Sequence, residues 1–119
     1  MKFLINNREW EIIEKSQEQI KEVQQKRKAK EDEELKSIAN RYYGITYCDW
    51  NQIFIDKDLP YNMKQSTLLH ELTHCYIANF ITHEDKMYSE EDVADILANG
   101  YNIILPIYNK YFEDKISEE

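Results

Sequence analysis

The sequence predicts an α+β domain, mostly helical, with a small antiparallel sheet beside one central helix. Only two glycines and two prolines occur in 119 residues, which disfavours a turn-rich all-β architecture and favours long helices. Apolar residues recur at helical spacing in three separate stretches, at 10–42, 68–80 and 93–104. Between the first two, Ile45, Tyr47, Ile53 and Ile55 alternate with their neighbours as strand residues do. The length suits a single domain with a modest core.

The first element expected is helical. Residues 7–41 contain no Pro or Gly and are dense in Glu, Lys and Gln, with charges paired at helical spacing at Glu22/Lys26, Arg27/Glu31 and Lys30/Glu34. An apolar stripe runs through Trp10, Ile13, Ile20 and Val23 and resumes at Leu35, Ile38, Ala39 and Tyr42. The spacing predicts one long helix, or two joined near residues 28–33. The basic run "KRKAK" at 26–30 is followed at once by acidic residues, so it reads as a solvated helix face.

Gly44 ends this region. Two short strands are expected next, around a turn at Asp49–Gln52, and Pro60 stops the second. Asn62 with Gln65 is the expected cap of the following helix, whose wide apolar band of Leu68, Leu69, Leu72, Cys75, Tyr76 and Phe80 predicts a buried, central position. Ser89 and Asp92 form a capping box ahead of a third helix through Val93, Ile96, Leu97, Tyr101 and Ile104, ending about Leu105. Pro106 is expected to open a last short helix bearing Tyr111 and Phe112. The division is thus a charged helical region at 1–42, a core at 43–106, and a C-terminal helix and tail at 107–119, all in one domain.

Composition excludes several classes. A formal net charge of −8 argues against general nucleic-acid binding, which needs Lys and Arg against phosphate. No apolar run reaches transmembrane length, and "MKFLINNREW" turns polar at Asn6, so it is not a signal peptide. Two cysteines, Cys48 and Cys75, are too few for a disulfide framework, which predicts reduced thiols and a cytoplasmic setting.

The central helix carries the chemistry. "HELTH" at 70–74 sets His70 and His74 four positions apart, on one helix face, where both imidazoles can bind one metal ion. Zinc suits neutral imidazole and carboxylate ligands, and Glu71 beside the first ligand can take a proton from water. A zinc site needs a third protein ligand. Glu91 is the best candidate, with Asp95 one turn on to orient a histidine ring from behind and the small Ala94 between them to permit close helix approach. Glu90 is its neighbour and rival. His83 would give a His₃ site and Cys48 a His₂Cys site; both rank below Glu91.

These segments resemble a known family. "HELTH" followed by "EDVAD" looks like the gluzincins. More narrowly, "IFIDKDLPYNMKQSTLLHELTH" and "EEDVADILANGYNIILP" resemble the ImmA/IrrE-like zinc metallopeptidases, over roughly half the chain. Thr73 stands where that family usually has Gly, Asp95 where Asn is commoner, and Val93 where an acidic residue often precedes the Ala. The resemblance implies a minimal zincin-like domain holding one Zn²⁺, encoded by a phage or mobile element and acting in the cytoplasm. It implies as substrate a protein partner such as a DNA-binding repressor, with no direct contact to nucleic acid or membrane. The strand "QIFID" would be the free sheet edge that aligns substrate. Tyr88, His83 and Tyr101 are candidates to stabilise the oxyanion. The competing class is a zincin-like module that binds a partner without hydrolysis.

Overall fold

The chain begins with a β-hairpin where a helix was expected. The computed structural model describes residues 1–31, 42–81 and 88–118. Strands β1 (Lys2–Ile5) and β2 (Arg8–Lys15) pair antiparallel across a two-residue turn. Asn6 and Asn7 in that turn have φ of 51° and 63°, the left-handed pair that a tight hairpin turn requires and that Asn tolerates. Burial at Phe3, Ile5, Trp10 and Ile12 has a period of two, and this alternation overrides the weaker helical spacing of Trp10 and Ile13. Helix α1 (Gln17–Glu31) starts only after Ser16. Its reciprocal cap joins the Gln19 N–H to Ser16 Oγ at 3.2 Å and the Ser16 N–H to Gln19 Oε1 at 3.0 Å. The second stretch expected as helix, at Leu35, Ile38 and Ala39, lies outside the described residues.

The second hairpin falls where the alternation placed it, as β3 (Gly44–Tyr47) and β4 (Gln52–Asp56). The four strands form one sheet in the order β1-β2-β4-β3. It is mixed, because β2 and β4 run parallel, with Ile12 opposite Ile53 and Glu14 opposite Ile55. An antiparallel sheet was expected because the N-terminal hairpin, which supplies the parallel neighbour, was not. For the same reason "QIFID" is an inner strand, and among the described residues the edge strand on that side of the sheet is β3.

Alternation divides the apolar side chains between the two faces. Trp10, Ile12, Ile53 and Ile55 pack with Leu68, Leu72, Tyr76, Ile104 and Phe112 from α2 (Tyr61–Phe80) and α3 (Glu90–Glu118). Phe54 and Tyr47, on the opposite face, pack with Ile20 of α1. Arg27 of α1 lies 4.3 Å from the Tyr47 ring and 4.4 Å from the Trp50 ring, and both its terminal nitrogens donate to Asp49 at 3.0 Å.

Helix α2 begins directly after Pro60, with no side-chain cap. The expected cap, Asn62, sits inside the first turn. Helix α3 begins as expected, with Asp92 N–H to Ser89 Oγ at 3.1 Å and Ser89 N–H to Asp92 Oδ2 at 3.0 Å. It does not end at Leu105 but runs on through Pro106. The missing N–H costs one helical bond, yet Ile104, Tyr111 and Phe112 on either side are buried against the same core and hold the axis together. The two helices run antiparallel: Tyr61 meets Phe112 with ring centroids 5.3 Å apart, and a Cβ at Gly100 would lie 3.4 Å from the Tyr76 ring. The close approach is therefore at Gly100 and not at Ala94, which is exposed.

Candidate metal centre

One turn of α2 collects the three groups expected from it. The imidazole nitrogens of His70 and His74 and a carboxylate oxygen of Glu71 all lie within 4.8 Å of one another. The two Nε2 atoms face each other at 3.1 Å. Two metal–nitrogen bonds at a tetrahedral angle would set such atoms roughly 3.3 Å apart, so the residues fit a shared ion. Both histidines are exposed, and only Glu71 is buried, at 5% of its full exposure. The helix is thus less enclosed than its apolar band suggests, with Leu69 and Phe80 also open to solvent.

Glu71 is held from the sheet. The alternation of β3 turns Gly44 and Thr46 toward α2 and Tyr47 toward α1. Thr46 Oγ1 lies 3.0 Å from Glu71 Oε1 and 3.2 Å from the Glu71 carbonyl oxygen, so its one hydroxyl proton serves either acceptor. The other oxygen, Oε2, lies 4.0 Å from His70 Nε2. Burial pushes the Glu71 carboxyl above its ordinary value, while the Thr46 hydrogen bond and the charges of His74 and His70 pull it down. Gly44 permits this packing: a Cβ there would meet Thr67 Cγ2 at 2.7 Å, Glu71 Cγ at 3.0 Å and the Phe54 carbonyl at 3.2 Å.

The strand that carries Thr46 is itself pinned. The Gln17 side chain donates to the Tyr42 carbonyl and, at 2.8 Å, to the buried Asp56, while its oxygen accepts the Tyr42 N–H at 3.1 Å. The Asp56 N–H then reaches the Tyr43 carbonyl at 2.9 Å. The sequence alone gives Gln17 no role, marks Gly44 only as the end of the helical region, and leaves Thr46 unremarked. The period of β3, read against Gly44, is the signal that could have found the last two.

Two hollows meet at His70 and Glu71. One of about 400 Å³ is lined by Tyr42, Tyr43, Ser66 and Thr67. The other, of about 600 Å³, extends past His74 to Cys48, Ile77, Ala78 and Tyr88. Of the three oxyanion candidates, Tyr88 lies on this second wall, Tyr101 lies in a separate groove with Leu69 and Thr73, and His83 is outside the described residues. Glu91 and Asp95 are exposed on the first turns of α3 and are not part of the close grouping, and neither is Glu90.

The chain matches no family model, no curated protein and no solved structure. Among the described residues no helix is long and apolar enough to cross a membrane.

Proposed function

We propose that this chain is a zinc-dependent metallopeptidase of the ImmA/IrrE-like kind, which hydrolyses a peptide bond in a protein partner such as a DNA-binding repressor. The observation that carries the reading is the pairing of facing His70 and His74 nitrogens, 3.1 Å apart, with a buried carboxylate at their side. His70 and His74 hold the ion. Bound zinc supplies a polarised carbonyl and a more acidic attacking water.

Glu71 does the proton work. Thr46 fixes Oε1, which leaves Oε2 to take a proton from the attacking water and return it to the leaving amine. A carboxyl held high by burial is better matched to both halves of that task than an exposed one. Strand β3, at the sheet edge among the described residues, lines the same hollow as the histidines with Gly44, Ile45 and Thr46, which supports an extended substrate paired along it.

Glu91 is the proposed third ligand, with Asp95 behind it. Tyr88, three residues earlier, lines the hollow, which supports a start of α3 close to the ion. Cys48, on the same wall, is the rival. Zinc lost on Glu91→Ala assigns Glu91; zinc kept there and lost on Cys48→Ala assigns Cys48. Two cysteines are too few for a disulfide framework, which supports a reducing, cytoplasmic setting.

A second reading has its own observation. Leu97, Val93 and Tyr101 are 72%, 57% and 56% exposed along one stripe of α3, beside Leu69 of α2, as a surface that binds a partner would be. The Glu71→Gln variant separates the readings. Loss of hydrolysis by ~10²–10⁴-fold with zinc retained supports the peptidase. Unchanged function in the variant supports a binding module.

A further inference from the structure

Apart from the two hollows at His70 and Glu71, a groove of about 490 Å³ runs between α2 and α3. Leu69 and Thr73 line it from α2, and Val93, Leu97, Tyr101 and Leu105 from α3. Each set recurs every four positions, so it forms a stripe along its helix. From Val93 to Leu105 the groove extends about 18 Å, or three helical turns, at about 1.5 Å per residue. Leu69, Val93, Leu97 and Tyr101 are exposed along it. Both walls are helices, whose backbone N–H and C=O groups are already paired within the helix. The Thr73 hydroxyl is engaged as well, donating to the Leu69 carbonyl at 2.8 Å. An extended segment laid here would bury N–H and C=O groups without partners, whereas a helix arrives with its own already paired.

Charge narrows the occupant further. Among the described residues, α2 carries no Lys or Arg after Lys64 and α3 none before Lys110. The Val93 end of the groove carries carboxylates instead, at Glu90, Glu91, Asp92 and Asp95. Glu90 is exposed and in line with the stripe, three positions before Val93 and seven before Leu97. We propose that this groove docks one amphipathic helix of a partner protein, apolar on the face it buries and basic where it passes Glu90. The inference rests on the reading of the exposed stripe as a partner-binding surface, and it holds whether or not the metal site hydrolyses that partner. A second copy of the chain is a poorer occupant. Paired antiparallel, the acidic turn of each copy would lie on the apolar Tyr101 and Leu105 end of the other; paired parallel, it would face its own like charges.

The test uses the full chain and two fluorescein-labelled model helices, one of leucine and lysine at amphipathic spacing and one with glutamate for every lysine. Binding is read by fluorescence anisotropy, and sedimentation of the chain alone gives its oligomeric state. The lysine helix is expected to bind at least about tenfold tighter than the glutamate helix, because like charges across an interface are unfavourable. The double variant Val93→Ser, Leu97→Ser should weaken the lysine helix by about tenfold or more, since two apolar contacts are lost. Leu4→Ser, at an exposed position on β1, should leave it unchanged. Val93 and Leu97 are both exposed, and circular dichroism checks that each variant folds. Lysine-helix binding that persists in the double variant is charge attraction alone and overturns the groove. Equal or tighter binding of the glutamate helix keeps the surface and overturns the basic partner. Binding of neither helix overturns the stripe as a docking surface. A chain that sediments as a dimer, and as a monomer in the double variant, assigns the groove to a second copy and overturns the proposal.

Discussion

Glu71 is the residue on which the account turns. It is a carboxylate removed from water between two exposed histidines, and removing a charge from water is costly unless a partner compensates. Thr46 is the partner observed, at 3.0 Å from Oε1. Thr46→Val keeps the shape of the side chain and deletes the hydroxyl. It should lower stability by about 1 kcal/mol, the typical net worth of such a bond, and Thr46→Ser should restore it. Urea denaturation midpoints of the three proteins check this. Equal midpoints would mean that solvent already satisfies Glu71. The histidines need no such support, because i and i+4 spacing on a helix is enough to bring them together. That is why they were legible in "HELTH" alone, whereas Thr46 was not: its role depends on which face of β3 meets α2.

At the scale of elements, the approach of β3 to α2 and the tie between sheet and helices are each tied to one residue. Gly44→Ala would drive a methyl into Thr67, Glu71 and a backbone carbonyl, with the closest approach at 2.7 Å. Overpacking of this kind should destabilise by about 1–3 kcal/mol, measurable as a fall in the thermal midpoint, and should slow hydrolysis because Glu71 is displaced. No change in either would show that β3 is free to withdraw. Glu14 of β2 joins three elements through Lys64 of α2, at 2.6 Å, and Lys115 of α3. Burial pushes its carboxyl up, but the hydrogen bonds from Lys115 and Lys64 and their charges outweigh it and hold the group below its ordinary 4.5. A depressed folded value makes the contribution complete above the unfolded value and lost as pH falls through the folded one. Glu14→Gln should therefore be less stable at neutral pH and show a shallower loss on acidification. Thermal midpoints from neutral pH down through the carboxylate range check it, and parallel curves for the two proteins would contradict it.

The same scale shows what could be read in advance. The β3–β4 hairpin and the start of α3 follow from local signals, alternation in one case and Ser89 with Asp92 in the other. The N-terminal hairpin was missed although its signals are equally local. Asn6-Asn7 is a tight-turn pair, and Ser16 with Gln19 marks a helix start after Lys15. The charge pairs of residues 22–34 favour helix, and with no Pro or Gly between residues 7 and 41 that signal outweighs both in the sequence. Pro106 was given more power to break a helix than a well-packed helix allows.

For the whole molecule, the sheet has helices on both faces and β3 at one edge among the described residues, so the histidine pair opens beside an edge strand. What local pattern could not supply is the placement of α3 along α2, which is set by Gly100 on Tyr76 and Tyr61 on Phe112. That placement leaves Glu91 exposed. The third ligand is therefore the part of the site least legible in the sequence, and the His70, Glu71 and His74 grouping the most.

The most direct test is the metal content of the full chain by mass spectrometry, after zinc is added and the excess removed, for wild type and for His74→Ala. The account predicts a single equivalent of zinc per wild-type chain and its loss in the variant. No zinc on the wild type, or an equal amount on His74→Ala, would contradict it.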